Sequence, residues 1–241
     1  MGSANLYSNL AAICARFYDL SVDAREVADF VDAKISGSKP KKILFVGGFF
    51  SVARELIGKG YSITVADYTD EMVEEGKKRL PGAKIVKADI RNLPFENEFD
   101  AVLVIGRVFT HMYSDEDAGK ALGSIKKSLK PKGILLFDNY EDTKITNTDY
   151  FNGRITVKDR GIEITRDSST EIISKTPFIV NWKATYTVTE NGTVQKFSDE
   201  MEHRAFSRDE IKRTLEKNGF KQISNGNNFD STSFYSIARI S

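Results

Sequence analysis

The sequence predicts an α/β fold built on a parallel sheet, and three observations predict it. Lys42-Ile43-Leu44-Phe45-Val46 is a short apolar run that breaks into Gly47-Gly48. Ser62-Ile63-Thr64-Val65-Ala66-Asp67 and Lys84-Ile85-Val86-Lys87-Ala88-Asp89 are similar runs, each ending in a carboxylate. Helical segments separate them, and strand–helix–strand alternation implies parallel pairing. Such sheets bind ligands in the crevice beyond the carboxyl ends of their strands. Carboxylates there can accept hydrogen bonds from a ribose and from an adenine amino group. The order glycine turn, Asp67, Asp89 therefore points to an adenosine-containing cofactor.

Each element follows from local pattern. Residues 4–20 read as a helix ending in Phe17-Tyr18-Asp19-Leu20, and 22–35 as a second, with Val27, Phe30, Val31 and Ile35 on one face. Ser36-Gly37-Ser38-Lys39-Pro40 breaks the chain, because glycine ends a helix and proline cannot continue it. Strands are expected at 42–47, 62–67, 84–89 and 100–105, with helices at 50–58 and 69–80. The latter carries Glu71 and Glu74 early and Lys77, Lys78 and Arg79 late, which suits the helix dipole. Ser114 and Asp117 open a helix over 115–129, and Pro131-Lys132-Gly133 turns into a fifth strand at 134–138.

From Tyr150 to Glu202 the helical period gives way to β-branched and polar alternation, as in Ile162-Glu163-Ile164-Thr165 and Ala184-Thr185-Tyr186-Thr187-Val188. Glu190-Asn191-Gly192-Thr193 is a hairpin signal. Ser207 with Glu210 starts a last helix, and 220–223 and 234–240 read as closing strands. The expected organisation is a helical segment at 1–36, a nucleotide-binding core at 37–149, an antiparallel β insertion at 150–206, and a return to the core at 207–241.

Bulk properties narrow the function classes. The 241 residues suit one large α/β domain with an insertion, and a 40% hydrophobic content supports a core. Thirty-five basic and 34 acidic residues leave a net charge of +1, which gives no reason to expect nucleic acid or membrane as partner. Cys14 is the only cysteine and His111 and His203 the only histidines, which argues against a disulfide, a cysteine zinc cluster or a multi-histidine metal site. No signal-like or membrane-spanning run is visible, so a cytoplasmic location is the expectation. An antiparallel insertion with exposed edges could pair across a two-fold axis as a homodimer.

Several segments resemble the class I S-adenosylmethionine (SAM)-dependent methyltransferases. They are Ile43-Leu44-Phe45-Val46-Gly47-Gly48, Val65-Ala66-Asp67-Tyr68-Thr69-Asp70-Glu71-Met72, Ala88-Asp89-Ile90-Arg91-Asn92-Leu93-Pro94-Phe95, Phe99-Asp100-Ala101-Val102 and Leu129-Lys130-Pro131-Lys132-Gly133-Ile134-Leu135. The layout is similar to small-molecule methyltransferases with an N-terminal helical lid and a β insertion after strand five, such as amino-sugar N,N-dimethyltransferases. The resemblance implies a Rossmann-like sheet with helices on both faces, SAM as cofactor, a small-molecule acceptor methylated at N or O, and no metal. One departure stands out. The family's loop reads Asp-x-Gly-x-Gly-x-Gly, whereas here Phe45 replaces the acidic residue and Phe49 and Ser51 replace the second and third glycines.

The resemblance assigns Asp67 to the ribose and Asp89 to the adenine, with Tyr68 and Ile90 beside them. It gives Gly47, Gly48 and Ser51 to the loop around the methionine moiety, and Ile105 to the end of strand four. Tyr18 and Tyr7 belong to the lid. Thr110-His111-Met112 stands where the family carries a Gly-His-Leu-like tripeptide, so His111 is the expected base or orienting group. Arg107, Asn139 and Tyr140 follow strands four and five and are expected to meet substrate; a surface ion pair is the other reading of Arg107. Trp182 and Phe178 would form an apolar wall or simply be buried, and His203 is expected to be solvated or on a sheet face.

Two other readings compete. The altered loop suggests a catalytically degenerate protein that binds a ligand or partner. A nicotinamide-dependent oxidoreductase would suit the spacing from Gly47 to Asp67, but Gly47-Gly48-Phe49-Phe50-Ser51-Val52 lacks the G-x-G-x-x-G needed at a pyrophosphate.

Overall fold

A computed structural model describes residues 5–38, 40–146 and 149–241. Lys39, in the predicted break, and residue 4, in the predicted first helix, lie outside the described residues. A 3₁₀ turn, Asn5–Tyr7, leads into α1 (Ala11–Ser21) and α2 (Ala24–Ile35). The core then runs β1 (Lys42–Val46), α3 (Phe50–Gly58), β2 (Ser62–Asp67), α4 (Asp70–Arg79), β3 (Lys84–Lys87), β4 (Phe99–Val104), α5 (Asp115–Ser128) and β5 (Leu129–Tyr140). β6 (Gly153–Asp159), β7 (Ile162–Lys175), β8 (Phe178–Glu190) and β9 (Thr193–Arg204) follow, then α6 (Arg208–Lys217), β10 (Phe220–Asn227) and β11 (Ser233–Ile240).

The first sheet has the order β10-β11-β5-β4-β1-β2-β3, parallel from β5 to β3, with β11 antiparallel to β5. β1 sits between β2 and β4, so the chain changes direction of winding there and opens a crevice at the strands' carboxyl ends. Val46 is level with Ala66 on one side and Val104 on the other. Gly47, Asp67 and Ile105 therefore emerge side by side.

Strand alternation sorts the core into two layers. Leu44, Val46, Val102, Val104, Leu135 and Phe137 pack with α5 and α6, while Ile43, Phe45, Val65, Leu103 and Ile105 pack with α2 and α3. Phe45, at the family's acidic position, thus lies wholly inside an apolar layer.

The second sheet, β6-β7-β8-β9, is antiparallel throughout. Asn191 (φ 49°) and Gly192 (φ 82°) form its tight β8–β9 turn, as the hairpin signal predicts. Its inner face presents Val180, Trp182, Tyr186 and Met201 to Leu10, Cys14 and Phe17 of the N-terminal segment. Ala11 and Ala15, on the other side of α1, join the parallel-sheet layer. α1 is therefore the filling between the two sheets. Arg16 to Asp159 of β6 and Arg79 of α4 to Asp19 fix its two edges.

Ser114 and Ser207 cap their helices as predicted, accepting hydrogen bonds from the N–H groups of Asp117 and Glu210, and Thr69 does the same for Met72 at the start of α4. Two expectations need correction. The single helix at 4–20 is broken, because Asn9 donates to the Asn5 side chain and Asn5 O accepts from Ser8 and Leu10 N–H groups. The Pro131-Lys132-Gly133 turn is a bulge inside a longer β5, with Phe99 facing Leu129 and Ala101 facing Ile134.

The layer beneath the β4 loop is aromatic. Phe109 packs on Phe137 and Phe206 at ring-centre distances of 5.3 and 5.7 Å. Phe109→Ala should cost about 3–5 kcal/mol in urea unfolding. A loss below about 1 kcal/mol would mean that the layer collapses to fill the gap.

Candidate active site

The crevice opens into a cavity of about 1210 Å³. Its floor is the row of strand ends, with Gly47, Gly48, Asp67, Asp89 and Ile105 all in the lining. Tyr7, Cys14 and Tyr18 form one wall, and the edge strand β9 forms another. Glu200 and Glu202 alternate with Asp199 and Met201 along β9, so the cavity runs past that edge and meets both faces of the strand.

The glycine loop is tight where it matters. Gly47 has φ 114°, and a Cβ at Gly48 would lie 2.2 Å from Met72 Cε. The lost glycines are absorbed in two ways. Phe49 turns its ring onto Tyr18 at 5.1 Å and across Gly106, where a Cβ would sit 3.4 Å from the ring. Ser51 is buried in the first turn of α3 and does not line the cavity, which corrects its assignment to the cofactor.

Asp67 closes β2 beside Gly48. Its Oδ1 accepts from the Thr69 N–H at 3.2 Å, and among the described residues no lysine or arginine pairs with it. Desolvation pushes its pKa up to about 6, against the partial offset of the Thr69 and Tyr68 N–H groups. Thr69 also donates to Tyr7 O at 2.7 Å, which ties the N-terminal segment to this strand end. Tyr68 lines the cavity half-exposed, and Ile90 lines it buried.

Asp89 is more committed. Burial pushes its carboxyl up, but Arg91 outweighs this through its N–H and guanidinium, and the pKa falls below the usual range. Arg91 in turn reaches Asp117. Asp89 lines the cavity with this arginine attached.

The loop after β4 is held from below. Asp138 accepts from the N–H groups of Gly106 at 3.2 Å and Arg107 at 2.7 Å, and from Asn228 at 3.0 Å. Arg107 takes a left-handed backbone (φ 62°), which starts the 3₁₀ turn Val108–His111. Thr110 donates to Arg204 O at 2.8 Å. His111 is thereby fixed in the cavity wall, edge-on to Tyr7 at 5.7 Å and beside His203 at 5.7 Å. Burial alone lowers its pKa to about 4, so its ring is neutral at physiological pH.

None of the three expected substrate residues lines the main cavity. Arg107 is buried and paired with Asp230, so it is not a surface ion pair, and it lines a smaller cavity behind the main one. Tyr140 lies behind the cavity wall against Phe151 and His203. Asn139 is fully buried in β5 and touches neither cavity. Alternation explains the miss: strand five runs on to Tyr140, so these side chains remain in the core. His203 is buried on the inner face of β9, not solvated. Trp182 is buried with it.

Other residues were not anticipated. Asp199 is 5% exposed, lines the cavity, and has no hydrogen-bond partner on either carboxylate oxygen. Burial raises its pKa, while N–H groups of Leu6, Glu200 and Asn5 lie near enough to offset part of this without reaching hydrogen-bond geometry. The signal was the phase of β9, which puts 199, 201 and 203 on one face. Met72 and Met112 complete the apolar lining. Among the described residues there is no cluster of three metal-ligating side chains, and no helix is long and apolar enough to cross a membrane.

Comparison with known proteins agrees with this geometry. Residues 46–137, which run from the end of β1 into β5, match the family described as a methyltransferase domain. A glycine/sarcosine N-methyltransferase of Halorhodospira halochloris is 33% identical over 102 residues, which are 39% of this chain and 37% of that protein. The chain spans less than half the length of the curated relatives of that name, from 37% to 48%. A SAM-dependent methyltransferase of Clostridium acetobutylicum superposes with TM-score 0.77 over 98% of this chain and 99% of that one, at 17% identity. A SAM-bound amino pentose methyltransferase of Micromonospora echinaspora, involved in calicheamicin biosynthesis, gives TM-score 0.79 over 97% and 96%, also at 17%. At these identities the likeness is one of fold.

Carboxylate NMR should show one aspartate titrating near pH 6 and missing from Asp67→Asn, with the His111 ring neutral from pH 8 down to 5. An Asp67 midpoint near 4 would mean that its carboxylate is well hydrated.

Proposed function

We propose that this protein is a SAM-dependent methyltransferase acting on an amine nitrogen of a small molecule. The observation that carries the proposal is Asp67, a desolvated carboxylate with no cationic partner among the described residues, set beside Gly48 at the sheet's switch point. A ribose diol would supply the two donors it lacks. Gly47 and Gly48 leave room for backbone to approach the cofactor, Ile90 and Asp89 flank the adenine position, and Tyr18 and Ile105 border the reacting end.

SAM, when bound, supplies a methyl group already made electrophilic by its sulfonium charge. The chain's residues have to position the acceptor and exclude water, and positioning accounts for most of the gain in such a transfer. His111 favours nitrogen over oxygen. An alcohol must lose its proton as it attacks, and an imidazole pulled down to about 4 is a poor base for that. A neutral amine already has its lone pair free. Neutral His111 can accept an N–H hydrogen bond and turn that lone pair toward the methyl.

The degenerate reading has no observation in its favour, because the two displaced glycines leave the cavity open. A small-molecule acceptor suits the cavity's volume, and the relatives named for glycine, sarcosine and amino-sugar acceptors support an amine.

Calorimetric titration with SAM and S-adenosylhomocysteine tests the cofactor assignment. Wild type should bind both, and Asp67→Ala should bind at least about tenfold more weakly, or about 1.4 kcal/mol. No binding to well-folded wild type would end the methyltransferase reading. Affinity should also fall as pH drops below about 6, because protonation removes the acceptor capacity of Asp67. His111→Ala should lower kcat by about 10²-fold through loss of acceptor positioning, with little change in SAM affinity.

A further inference from the structure

A second, much smaller cavity of about 20 Å³ lies behind the first and shares Tyr7, Tyr18, Gly106 and Met201 with it. It has room for about one water-sized atom. Four buried side-chain nitrogens on its lining residues lack a hydrogen-bond partner: Arg107 Nε, Arg166 Nε, Trp182 Nε1 and His203 Nδ1. All four residues are at least 95% buried. Three of these atoms can only donate, and His203 Nδ1 can donate in one tautomer.

The two guanidinium groups are unequally served. Arg107 is paired with Asp230 and has buried Asp138 nearby, whereas no carboxylate among the described residues forms an ion pair with Arg166. Arg166 donates to Tyr150 O at 2.5 Å and lies over the Phe17, Tyr150 and Trp182 rings. Both guanidinium carbons are within 6 Å of the Tyr150 ring centre. A buried cation without a counter-ion is costly. A single water accepts at most two hydrogen bonds, one fewer than the three nitrogens that can only donate.

We propose that this cavity is a monovalent-anion site, holding a halide or one oxygen of a carboxylate between Arg166, Arg107 and the Trp182 indole. It sits directly behind His111, whose ring packs on His203 and Tyr7. A carboxylate on an amine acceptor would enter through the shared Tyr7, Tyr18 and Met201 wall and bring its nitrogen to His111. Only this acceptor arm rests on the methyltransferase reading.

The test uses the full chain at constant ionic strength, with gluconate exchanged for bromide. At bromide about 100-fold above its dissociation constant, wild type should melt roughly 5–10 °C higher, with a saturating dose response. Arg166→Met should not respond, and wild-type crystals soaked in bromide should show an anomalous peak in the cavity. The crystal arm stands even if the variant fails to fold. Glycine and glycinamide then separate the two sources. Loss of the peak with glycine but not glycinamide assigns the site to an acceptor carboxylate; a peak that survives both assigns it to free halide. A water in place of the peak, with the same bromide response in both proteins, would overturn the proposal. So would tyrosinate absorption at neutral pH that vanishes in Arg166→Met, since Tyr150 would then be the counter-ion.

Discussion

Everything about this site depends on α1 being buried on two sides. Ala11 and Ala15 pack into the parallel-sheet layer, while Leu10, Cys14 and Phe17 pack into the antiparallel sheet. Small residues on one side and large ones on the other let the helix fill a gap between two curved surfaces. Without it the second sheet would lose a large part of its apolar cover, keeping Leu6, Tyr140, Ile145 and Phe151, and the strand ends would lose the wall that carries Tyr18. With it, Tyr7 and Tyr18 are carried over the crevice, and the cavity has a roof as well as a floor.

The same packing sets the electrostatics. Enclosure by α1 and β9 desolvates Asp67, Asp199, His111 and His203 together, which raises the two carboxylates and lowers the two imidazoles. For His203 the nearby His111, Arg166 and Arg107 add to the burial effect. The histidines are left neutral and oriented rather than poised to take protons. Arg107 and Asp138 belong to the scaffold beneath them. One pins the loop after β4 to Asp230, and the other collects its backbone N–H groups. Arg107 thereby anchors the turn that carries His111.

The altered glycine loop is a case of compensation across the site. Phe49 occupies space that a second glycine would have left free, and Gly106, on a different strand, makes room for its ring. The first acidic position is filled by Phe45, whose side chain points into the α2–α3 layer. Reading the loop alone suggested a damaged site. The loop and its neighbour together make an open one.

The strands, the capped helices and the hairpin were legible because each depends on neighbours within a few residues. Asp67, Asp89 and the Gly47-Gly48 turn were legible for a related reason: the ends of parallel strands meet at one edge, so position along the strand fixes position in the site. His111 followed from its place after β4. Asn139 and Tyr140 did not follow, because the length of β5 and the phase of its last residues are set by pairing with β11, and the burial of Arg107 did not, because its partner Asp230 lies 123 residues away. Asp199, His203 and Arg166 were hidden for the same reason. Their strands alternate regularly, and nothing in the alternation says which face α1 will cover. The sequence by itself determined the elements and the row of strand-end groups; the tertiary structure alone decided which side chains lose their water, since desolvation depends on surfaces brought together from distant parts of the chain.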